Sequence, residues 1–345
     1  MAAQKLLLIG DHFIAPALMR SSLSPALASS LDIVEAETPF PLEPFRAIAE
    51  VREASGSEEQ MIEALQGVQL AIAHHAPLTE RVLASTPDLR LFIVCRGGPV
   101  NVNLAAATAA GVTVCFTPGR NATATAEFAV AMALAAMRGI PAVDRGIRSG
   151  AWPGDYTFQT AGFELEGTTC GLVGYGAVGS RVARILRGFG ATVLVYDPYA
   201  APSSEEGVAL VPLDDLLRRS MVVSLHARET PETRGLIGKQ QIEQMPHGAV
   251  LVNCARGALL DYTALEAALR SGHLAAAAAD VFPEEPIPAG SSLLALPNFI
   301  LSPHIAGGTR QAAEKAARIA AEELERFIAG APVHFCANPD VRPRL

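Results

Sequence analysis

The chain has 345 residues, of which 50% are hydrophobic and 18% charged, and its formal net charge is -8. At roughly 100 to 200 residues per domain, this length predicts two globular domains with large buried cores, and the composition excludes a disordered chain. Nucleic acids are bound by clustered Lys and Arg, so an acidic chain without a basic run is not expected to bind them.

The N-terminus and the apolar runs indicate where the protein is expected to work. Met1 leads almost directly into the apolar residues 6–9, without the features of a secretory signal. The longest apolar stretches, such as residues 128–137, are about half of the roughly 20 residues that a membrane-spanning helix needs. We therefore expect a cytoplasmic protein with no membrane partner.

Cysteine and histidine usage gives no sign of a metal site. The five cysteines are odd in number and scattered, so we expect small core hydrophobes and neither a disulfide framework nor a zinc site; they are Cys95, Cys115, Cys170, Cys254 and Cys336. The neighbours His74 and His75 would point apart on a strand, and no further His or Cys pattern joins them.

Strand-like apolar runs alternate with helical stretches along the whole chain, which predicts parallel sheets with helical crossovers. The clearest runs cover residues 6–9, 70–73, 91–95, 112–116, 171–173 and 192–196. They form two series, one before about residue 118 and one after about residue 165, joined by an Ala-rich helix over roughly residues 121–138. We predict an α/β fold with two doubly wound parallel-sheet domains.

The C-terminal region predicts one more helix, over about residues 309–329, because apolar residues recur at helical spacing and Gly330 follows them. No strand is expected after it, so the helix should pack back on the first domain. This assigns residues 1–118 and 305–345 to one domain and residues 119–304 to the other.

A glycine-rich turn, G-Y-G-A-V-G, follows the strand-like run that begins the second series. The first glycine permits a tight turn, the second lets the backbone approach a pyrophosphate, and the third lets a helix pack against the strand. The amides at the start of that helix favour an anion. The predicted dinucleotide site comprises Gly174, Tyr175, Gly176, Ala177, Val178 and Gly179. The helix has an apolar stripe of Val178, Val182, Ile185, Leu186 and Phe189.

An acidic residue follows the next strand of this series. Asp197 lies 18 residues beyond Gly179 (197 - 179). A carboxylate at this distance accepts hydrogen bonds from the adenosine ribose and repels a 2′-phosphate. The sequence therefore predicts NAD rather than NADP as the cofactor.

Three later strand-like runs are each followed by a residue with acid–base or anion-binding chemistry: Arg256, Glu285 and His304. The runs cover residues 249–253, 275–282 and 299–301. Ligands of such sheets bind outside the carboxyl ends of the strands, so the three side chains are expected to converge on one crevice. An arginine can hold a carboxylate through two hydrogen bonds, and an imidazole oriented by a glutamate can exchange a hydroxyl proton near neutral pH.

In their order and spacing, these segments resemble the signatures of the D-isomer-specific 2-hydroxyacid dehydrogenases, which include D-3-phosphoglycerate dehydrogenases and glyoxylate or hydroxypyruvate reductases. The segments are G-Y-G-A-V-G with Asp197, N-C-A-R-G, D-V-F-P-E-E-P and S-P-H-I-A-G-G. The resemblance extends from residues 96–98 through T-P-G-R-N-A to the N-P-D that ends at Asp340. It implies a Rossmann-type NAD domain inserted into a flavodoxin-like substrate-binding (lid) domain.

The resemblance also implies roles for individual residues. Arg256 would bind the substrate carboxylate and polarise the keto oxygen, His304 would be the acid/base, and Glu285 would be its partner. The implied substrate-binding set further contains Arg96 and the backbone amides of Gly97 and Gly98. Further cofactor-binding positions would be Pro198, His226, Cys254, Ala255 and Asp280.

The implied activity is hydride transfer between nicotinamide and C2 of a small 2-hydroxy or 2-keto acid. Residues 73–76 read A-H-H-A where phosphoglycerate dehydrogenases usually carry an R-S-R-T-like run whose arginine meets phosphate, which disfavours phosphoglycerate. Arg96 and Arg120 nevertheless leave an acidic or phosphorylated substrate open, and the roles of His74 and His75 are not fixed.

Regulation and assembly follow from the same resemblance. Because the chain ends at Leu345, we expect no regulatory domain and no feedback control by serine. A homodimer is implied, with Trp152 and Tyr156 in a segment that family members use for dimer contacts.

Two alternatives stay open. Formate dehydrogenases share the fold and the arginine but carry Gln in place of the glutamate, so Glu285 argues against formate, whereas phosphite dehydrogenases retain all three catalytic residues. C-terminal-binding corepressors also resemble these enzymes, bind NAD and act by recruiting proteins; the absence of tails for partner recognition disfavours that interpretation.

Overall fold

The computed structural model describes residues 3–152, 157, 161–201 and 207–342. The chain divides into two compact units, which we call unit 1 (Met1–Asn121 with Gly308–Leu345) and unit 2 (Ala122–Gly307). Unit 2 is thus inserted between two segments of unit 1, and both boundaries lie a few residues beyond the predicted ones.

Unit 1 contains a five-stranded parallel sheet. The strands of unit 1 are β1 (Gln4–Gly10), β2 (Leu31–Glu37), β3 (Arg46–Ile48), β4 (Val51–Ala54), β5 (Leu70–Ala73), β6 (Leu91–Val94) and β7 (Thr113–Phe116). Of these, β3 and β4 form a separate antiparallel hairpin. Its first helices are α1 (Pro16–Ser21), α2 (Pro25–Ser30), α3 (Glu58–Ala64), α4 (Glu80–Ser85) and α5 (Leu104–Ala109). The sheet order is β2-β1-β5-β6-β7. Apart from the hairpin β3–β4, this is the flavodoxin-like order.

Unit 2 contains a seven-stranded parallel sheet. Its helices are α6 (Ala122–Met137), α7 (Ile140–Arg148), α8 (Gly179–Gly188), α9 (Leu213–Arg219), α10 (Lys239–Glu243) and α11 (Tyr262–Ser271), with 3-10 turns at Gly257–Leu259 and Ser292–Ala295. Its strands are β8 (Thr169–Val173), β9 (Thr192–Tyr196), β10 (Val208–Leu210), β11 (Val222–Leu225), β12 (Ala249–Asn253), β13 (Leu274–Ala279) and β14 (Phe299–Leu301). The order β10-β9-β8-β11-β12-β13-β14 is that of a Rossmann sheet with one strand added.

The last helix, α12 (Arg310–Ile328), returns to unit 1 and packs against α1, β6 and β7, as the sequence predicts. Thr309 caps it by accepting a hydrogen bond from the Ala312 amide at 3.2 Å. Gly330 follows in the left-handed region, with φ 68°. The sequence did not predict that the segment after α12 pairs with β7: the Ala337 amide donates to the Val114 carbonyl at 2.8 Å.

The central strands are buried along their whole length, which explains their unbroken apolar runs. Every residue of β5, β6, β11 and β12 is buried. Parallel sheets with helices on both faces have no solvent-facing side and therefore show no alternation of polar and apolar residues.

Two predicted element bounds were wrong. The run predicted as residues 275–282 ends as a strand at Ala279, because its neighbours β12 and β14 also end opposite that residue. The predicted apolar stripe of α8 is shorter than expected: the helix ends at Gly188, and Phe189 beyond it is 46% exposed. Val182 and Leu186 form the buried part of that stripe.

Within the described ranges, no single helix has the length and apolarity needed to cross a membrane. α6 and α7 meet that requirement only as a pair, and they are bent by 64° at the break between them. Most of α6 is buried in the core of its unit.

Candidate active site

The glycine turn after β8 is built as its residue pattern predicts. Gly174 has φ 101°, and a Cβ there would lie 2.5 Å from the Ala227 amide nitrogen. A Cβ on Gly179 would lie 2.1 Å from the Gly174 carbonyl oxygen, whereas one on Gly176 would meet nothing within 4 Å. The outer glycines are therefore required for packing, and the exposed middle glycine leaves bare backbone that a pyrophosphate can approach.

This turn lies at the point where the strand order of the sheet reverses, between β8 and β11. Ligands of open α/β sheets bind at such a point. α8 begins at Gly179, so its first backbone amides and the positive end of its dipole lie at the turn. The residues present thus fit a dinucleotide, with Tyr175, Ala177 and Val178 completing the turn.

Asp197 is fixed against the turn by two backbone amides. Its Oδ2 accepts from the Tyr175 amide at 2.7 Å, and its Oδ1 accepts from the Tyr199 amide at 2.9 Å. A carboxylate oxygen can accept more than one hydrogen bond, so both oxygens keep capacity for ribose hydroxyls. Pro198 is exposed beside it.

His226 packs against the glycine turn. It follows β11, and its Cβ lies 3.7 Å from the position of a Cβ on Gly179. Both ring nitrogens are buried and have no hydrogen-bond partner among the described residues. Burial lowers the pKa of the imidazole to about 4, so the ring is neutral at physiological pH. Its predicted contact with the cofactor stays a prediction.

His304 and Glu285 form a hydrogen-bonded pair. His304 Nδ1 lies 2.7 Å from Glu285 Oε2, and Glu285 Oε1 accepts from the Phe282 amide at 2.8 Å. The side chains are 22% and 20% exposed. Since the glutamate engages Nδ1, the opposite ring nitrogen, Nε2, is the one suited to exchange a proton with a substrate.

The loop that carries His304 is held by a buried carboxylate. Asp280 Oδ1 accepts from the Ile305 amide at 2.9 Å, and Oδ2 accepts from the Ala306 amide at 2.8 Å. His304 itself has φ 56°, an uncommon conformation for a residue with a side chain and one that recurs at functional sites. Asp280 thus positions the histidine; its predicted contact with the cofactor is untested.

Arg256 lies in a loop ordered by the preceding asparagine. Asn253, the last residue of β12, donates from Nδ2 to the Arg256 carbonyl at 3.0 Å and accepts the Ala255 amide at Oδ1 at 3.1 Å. Cys254 is buried, and burial raises the pKa of its thiol, so this predicted cofactor neighbour is no thiolate at neutral pH.

The Arg256 loop and the Glu285 loop touch each other. A Cβ on Gly257 would lie 2.1 Å from the Phe282 carbonyl oxygen, so only glycine fits there. Tyr262 links the same loops, since its hydroxyl donates to the Val281 carbonyl and accepts from Asn253. Within unit 2, the structure therefore brings the loops of the three predicted catalytic residues to one sheet edge. Asn253, Gly257 and Tyr262 were not predicted as part of the site, although N-C-A-R-G contains the first two.

The predicted substrate-binding residues of unit 1 differ in burial and in hydrogen-bond partners. Arg96 is buried, donates to the Glu53 carbonyl at 2.7 Å and forms an ion pair with the Glu53 carboxylate. Its Nη1 also lies 2.9 Å from His75 Nδ1. Gly97 and Gly98 are more accessible, and within the described ranges their amides donate to no protein group. These amides are therefore available to a ligand, whereas Arg96 has partners inside its own unit.

A buried polar cluster lies at the carboxyl ends of the unit 1 strands. His74 Nδ1 lies 2.6 Å from Asp11 Oδ2, and both side chains are fully buried. Burial lowers the pKa of His74 well below its usual range and raises that of Asp11. Arg120 Nε and Nη1 are buried with no partner among the described residues, and desolvation lowers the pKa of Arg120 to about 10. The sequence did not predict this cluster.

The remaining predicted residues concern assembly. Trp152 is 86% exposed. Tyr156 lies outside the described residues.

Comparison with known proteins supports this description of unit 2. Residues 130–306 match the family described as D-isomer specific 2-hydroxyacid dehydrogenase, NAD binding domain. That range contains the glycine turn, Asp197, Arg256, Glu285 and His304.

Curated relatives carry two activities in their names. The chain is 40% identical over 270 residues to glyoxylate reductase of Aeropyrum pernix, and the matched stretch covers 75% of this chain and 81% of that protein. It is 37% identical over 297 residues to D-3-phosphoglycerate dehydrogenase of Archaeoglobus fulgidus, and that stretch covers 85% of this chain and 56% of that protein. The chain spans about half the length of the phosphoglycerate dehydrogenases that it matches.

Solved structures match over both units. A Thermus thermophilus protein has a TM-score of 0.82 at 30% identity, over 96% of this chain and 99% of that chain. Glyoxylate reductase from Paecilomyes thermophila has a TM-score of 0.79 at 28% identity, over 98% of this chain and 99% of that chain.

Proposed function

We propose that this chain, which belongs to the D-isomer specific 2-hydroxyacid dehydrogenase family, transfers a hydride between NAD and C2 of a small 2-hydroxy or 2-keto acid. The observation that carries the proposal is the 2.7 Å pair of His304 and Glu285, on the sheet edge that also carries Arg256 and the dinucleotide turn. An acid/base group, a group that binds the substrate carboxylate and a site for the cofactor are the parts that this reaction needs.

Each group of unit 2 has a role in the reductive direction. Bound NADH supplies the hydride. Arg256 holds the substrate carboxylate and polarises the keto oxygen. His304 donates the proton on Nε2 to the oxygen that becomes the hydroxyl, and Glu285, bonded to Nδ1, stabilises the charged imidazolium before this transfer. In the oxidative direction the same nitrogen removes the hydroxyl proton.

The substrate-binding role of Arg96, Gly97 and Gly98 is part of this proposal. The unpartnered amides of the two glycines support it, because they can donate to a carboxylate. Arg96 pairs with Glu53 inside unit 1, so its proposed contribution is positive charge beside the substrate carboxylate.

Reduction assays on the purified chain test the proposal. We expect NADH oxidation with at least one of glyoxylate, hydroxypyruvate and phosphohydroxypyruvate, and no NAD reduction with formate or phosphite. His304→Ala should lower kcat by about 10²- to 10⁴-fold, the usual contribution of a positioned acid/base, while the Kd for NADH stays unchanged.

Glu284→Gln is the matched control for Glu285→Gln, since Glu284 is the exposed neighbour. Only the Glu285 variant should lose activity. Turnover of the His304 variant at the rate of the unchanged protein would contradict the assigned mechanism, and failure to reduce any 2-keto acid would contradict the proposed reaction.

We further propose that the protein works as a cytoplasmic homodimer. Support for the dimer comes from α7, which has no buried residue. Ile140, Val143 and Ile147 on this helix are 52%, 44% and 52% exposed. Apolar residues spaced by three and four positions form one face, and contiguous exposed apolar surface marks interaction sites.

A further inference from the structure

The segment after α12 places two cysteines opposite each other. Cys115 on β7 and Cys336 form an isolated antiparallel bridge. Two backbone hydrogen bonds flank them: the Phe116 amide donates to the Phe335 carbonyl at 3.1 Å, and the Ala337 amide donates to the Val114 carbonyl at 2.8 Å. Neither bond joins the two cysteines directly.

This bonding pattern defines a non-hydrogen-bonded pair, the closer of the two kinds of antiparallel pair. In such pairs the Cα atoms are about 4.5 Å apart, and the side chains leave the same face of the sheet. Disulfides need Cα separations of roughly 4.4 to 6.8 Å. The backbone of the two cysteines therefore already satisfies the distance that an S–S bond requires.

Hydrogen bonds on both sides of Cys336 fix this register. Glu323, itself buried, accepts the amides of His334 at 2.9 Å and Phe335 at 3.1 Å. Asn338 accepts the Val114 amide at 2.9 Å and donates to the Val112 carbonyl at 2.9 Å. Because the segment is held before and after Cys336, the backbones of the two cysteines cannot move apart without breaking these bonds.

The two thiols differ in accessibility. Cys336 is partly exposed, whereas Cys115 is buried. Burial and the nearby Glu323 carboxylate raise the pKa of the Cys115 thiol. An oxidant from solvent therefore reaches Cys336 first, and Cys115 is placed to resolve the oxidised sulfur.

We propose that Cys115 and Cys336 form an intramolecular disulfide when the folded protein meets a peroxide. The Cys336 sulfur attacks one peroxide oxygen, which breaks the O–O bond and yields a sulfenic acid and water. The Cys115 sulfur then attacks the sulfenic sulfur; the S–S bond forms, the S–O bond breaks, and the leaving hydroxide takes the Cys115 proton as water. Two thiols are oxidised and one hydrogen peroxide is reduced to two waters.

The bond would join two segments that lie far apart in the chain. All residues between them, including unit 2, would be enclosed in one covalent loop. A disulfide restricts the unfolded chain more strongly as its loop lengthens. We therefore expect the oxidised protein to melt on the order of 5 to 10 °C higher than the reduced protein.

Peptide mapping of the full chain tests this proposal. The protein is treated with hydrogen peroxide, the remaining thiols are alkylated, and the digest is analysed by mass spectrometry with and without dithiothreitol. We expect a peptide pair linked through Cys115 and Cys336, the loss of two of the five thiols, and recovery of both thiols on reduction. Cys336→Ser should abolish the linked pair, whereas Cys170→Ser, at a buried cysteine of unit 2, should retain it.

The readout is independent of turnover, so it stands apart from the proposed dehydrogenase activity. Circular dichroism before and after oxidation checks that the fold is retained. Oxidation of Cys336 to sulfinic acid without a link to Cys115, a link to any other cysteine, or a link only between two chains on a non-reducing gel would overturn the proposal.

Discussion

At the scale of single residues, Asp197 combines two tasks. Its carboxylate accepts two backbone amides, which orders the glycine turn, and it lies where the ribose of a dinucleotide is expected. A substitution at this position therefore changes both the shape of the turn and its charge. Cofactor preference separates the second effect from the first.

Asp197→Ala should lower the ratio of kcat/KM with NADH to that with NADPH by about 10- to 100-fold, because hydrogen bonds to a charged group contribute about 1.5 to 3 kcal/mol. Steady-state kinetics with both cofactors measure this ratio. Asp261→Ala is the control, since Asp261 also accepts two amides, those of Thr263 and Ala264, but caps α11. An unchanged ratio in the Asp197 variant would mean that another group distinguishes the cofactors.

Residue patterns predict local features of this site better than long-range partners. The glycine turn, Asp197 and the loop positions of Arg256, Glu285 and His304 each depend on a strand end that the apolar pattern predicts. Asp11 pairs with His74 across 63 positions, and Arg96 pairs with Glu53 across 43. No local periodicity connects such residues, so these pairs can be identified only in the folded structure.

At the scale of elements, α7 differs from the helices around it. Gly139 precedes it with φ 60° and ends α6, and Pro141 follows in its first turn. These residues explain why the chain bends here and begins a new helix, which the sequence analysis did not predict. The exposed apolar face of α7 is the surface that the proposed dimer would bury.

Ile147→Glu should convert a dimeric protein to monomers, because a charge in a desolvated apolar contact is costly. Size-exclusion chromatography with light scattering measures the mass. Leu294→Glu, at a residue that is 47% exposed in the same unit, should leave the dimer intact. A dimer that survives the Ile147 substitution would exclude α7 from the interface.

At the scale of the whole molecule, both units contain histidines whose pKa values are lowered by burial. Burial lowers the pKa values of His74 and His75 in unit 1 and of His226 in unit 2. An unfolded histidine takes up a proton near pH 6.5, but His226 in the folded chain does so only near pH 4. Between these values the unfolded chain binds more protons, so the free energy of unfolding decreases as the pH falls.

His226→Leu should reduce this acid sensitivity. With a pKa near 4 in the folded state, His226 lowers the free energy of unfolding by about 2 kcal/mol between pH 8 and pH 5. Urea unfolding of the unchanged protein and the variant at both pH values measures the difference. Equal pH dependence of the two proteins would mean that the pKa of His226 is the same in the folded and the unfolded chain.

The sheet orders show a limit of sequence reasoning at this scale. The alternation of strands and helices predicted two doubly wound sheets, and both are present. The hairpin β3–β4 and the pairing of the C-terminal segment with β7 were not predicted, because short edge strands have little apolar pattern of their own.

The insertion of unit 2 into unit 1 has a consequence for synthesis on the ribosome. Unit 2 is one continuous stretch and leaves the exit tunnel complete, so it can fold while translation continues. Unit 1 is split, and the side of β6 and β7 that α12 covers stays exposed until α12, which follows unit 2 in the chain, has been translated. The segment of unit 1 that precedes unit 2 is therefore translated before unit 2 but can complete its core only after unit 2 has been made.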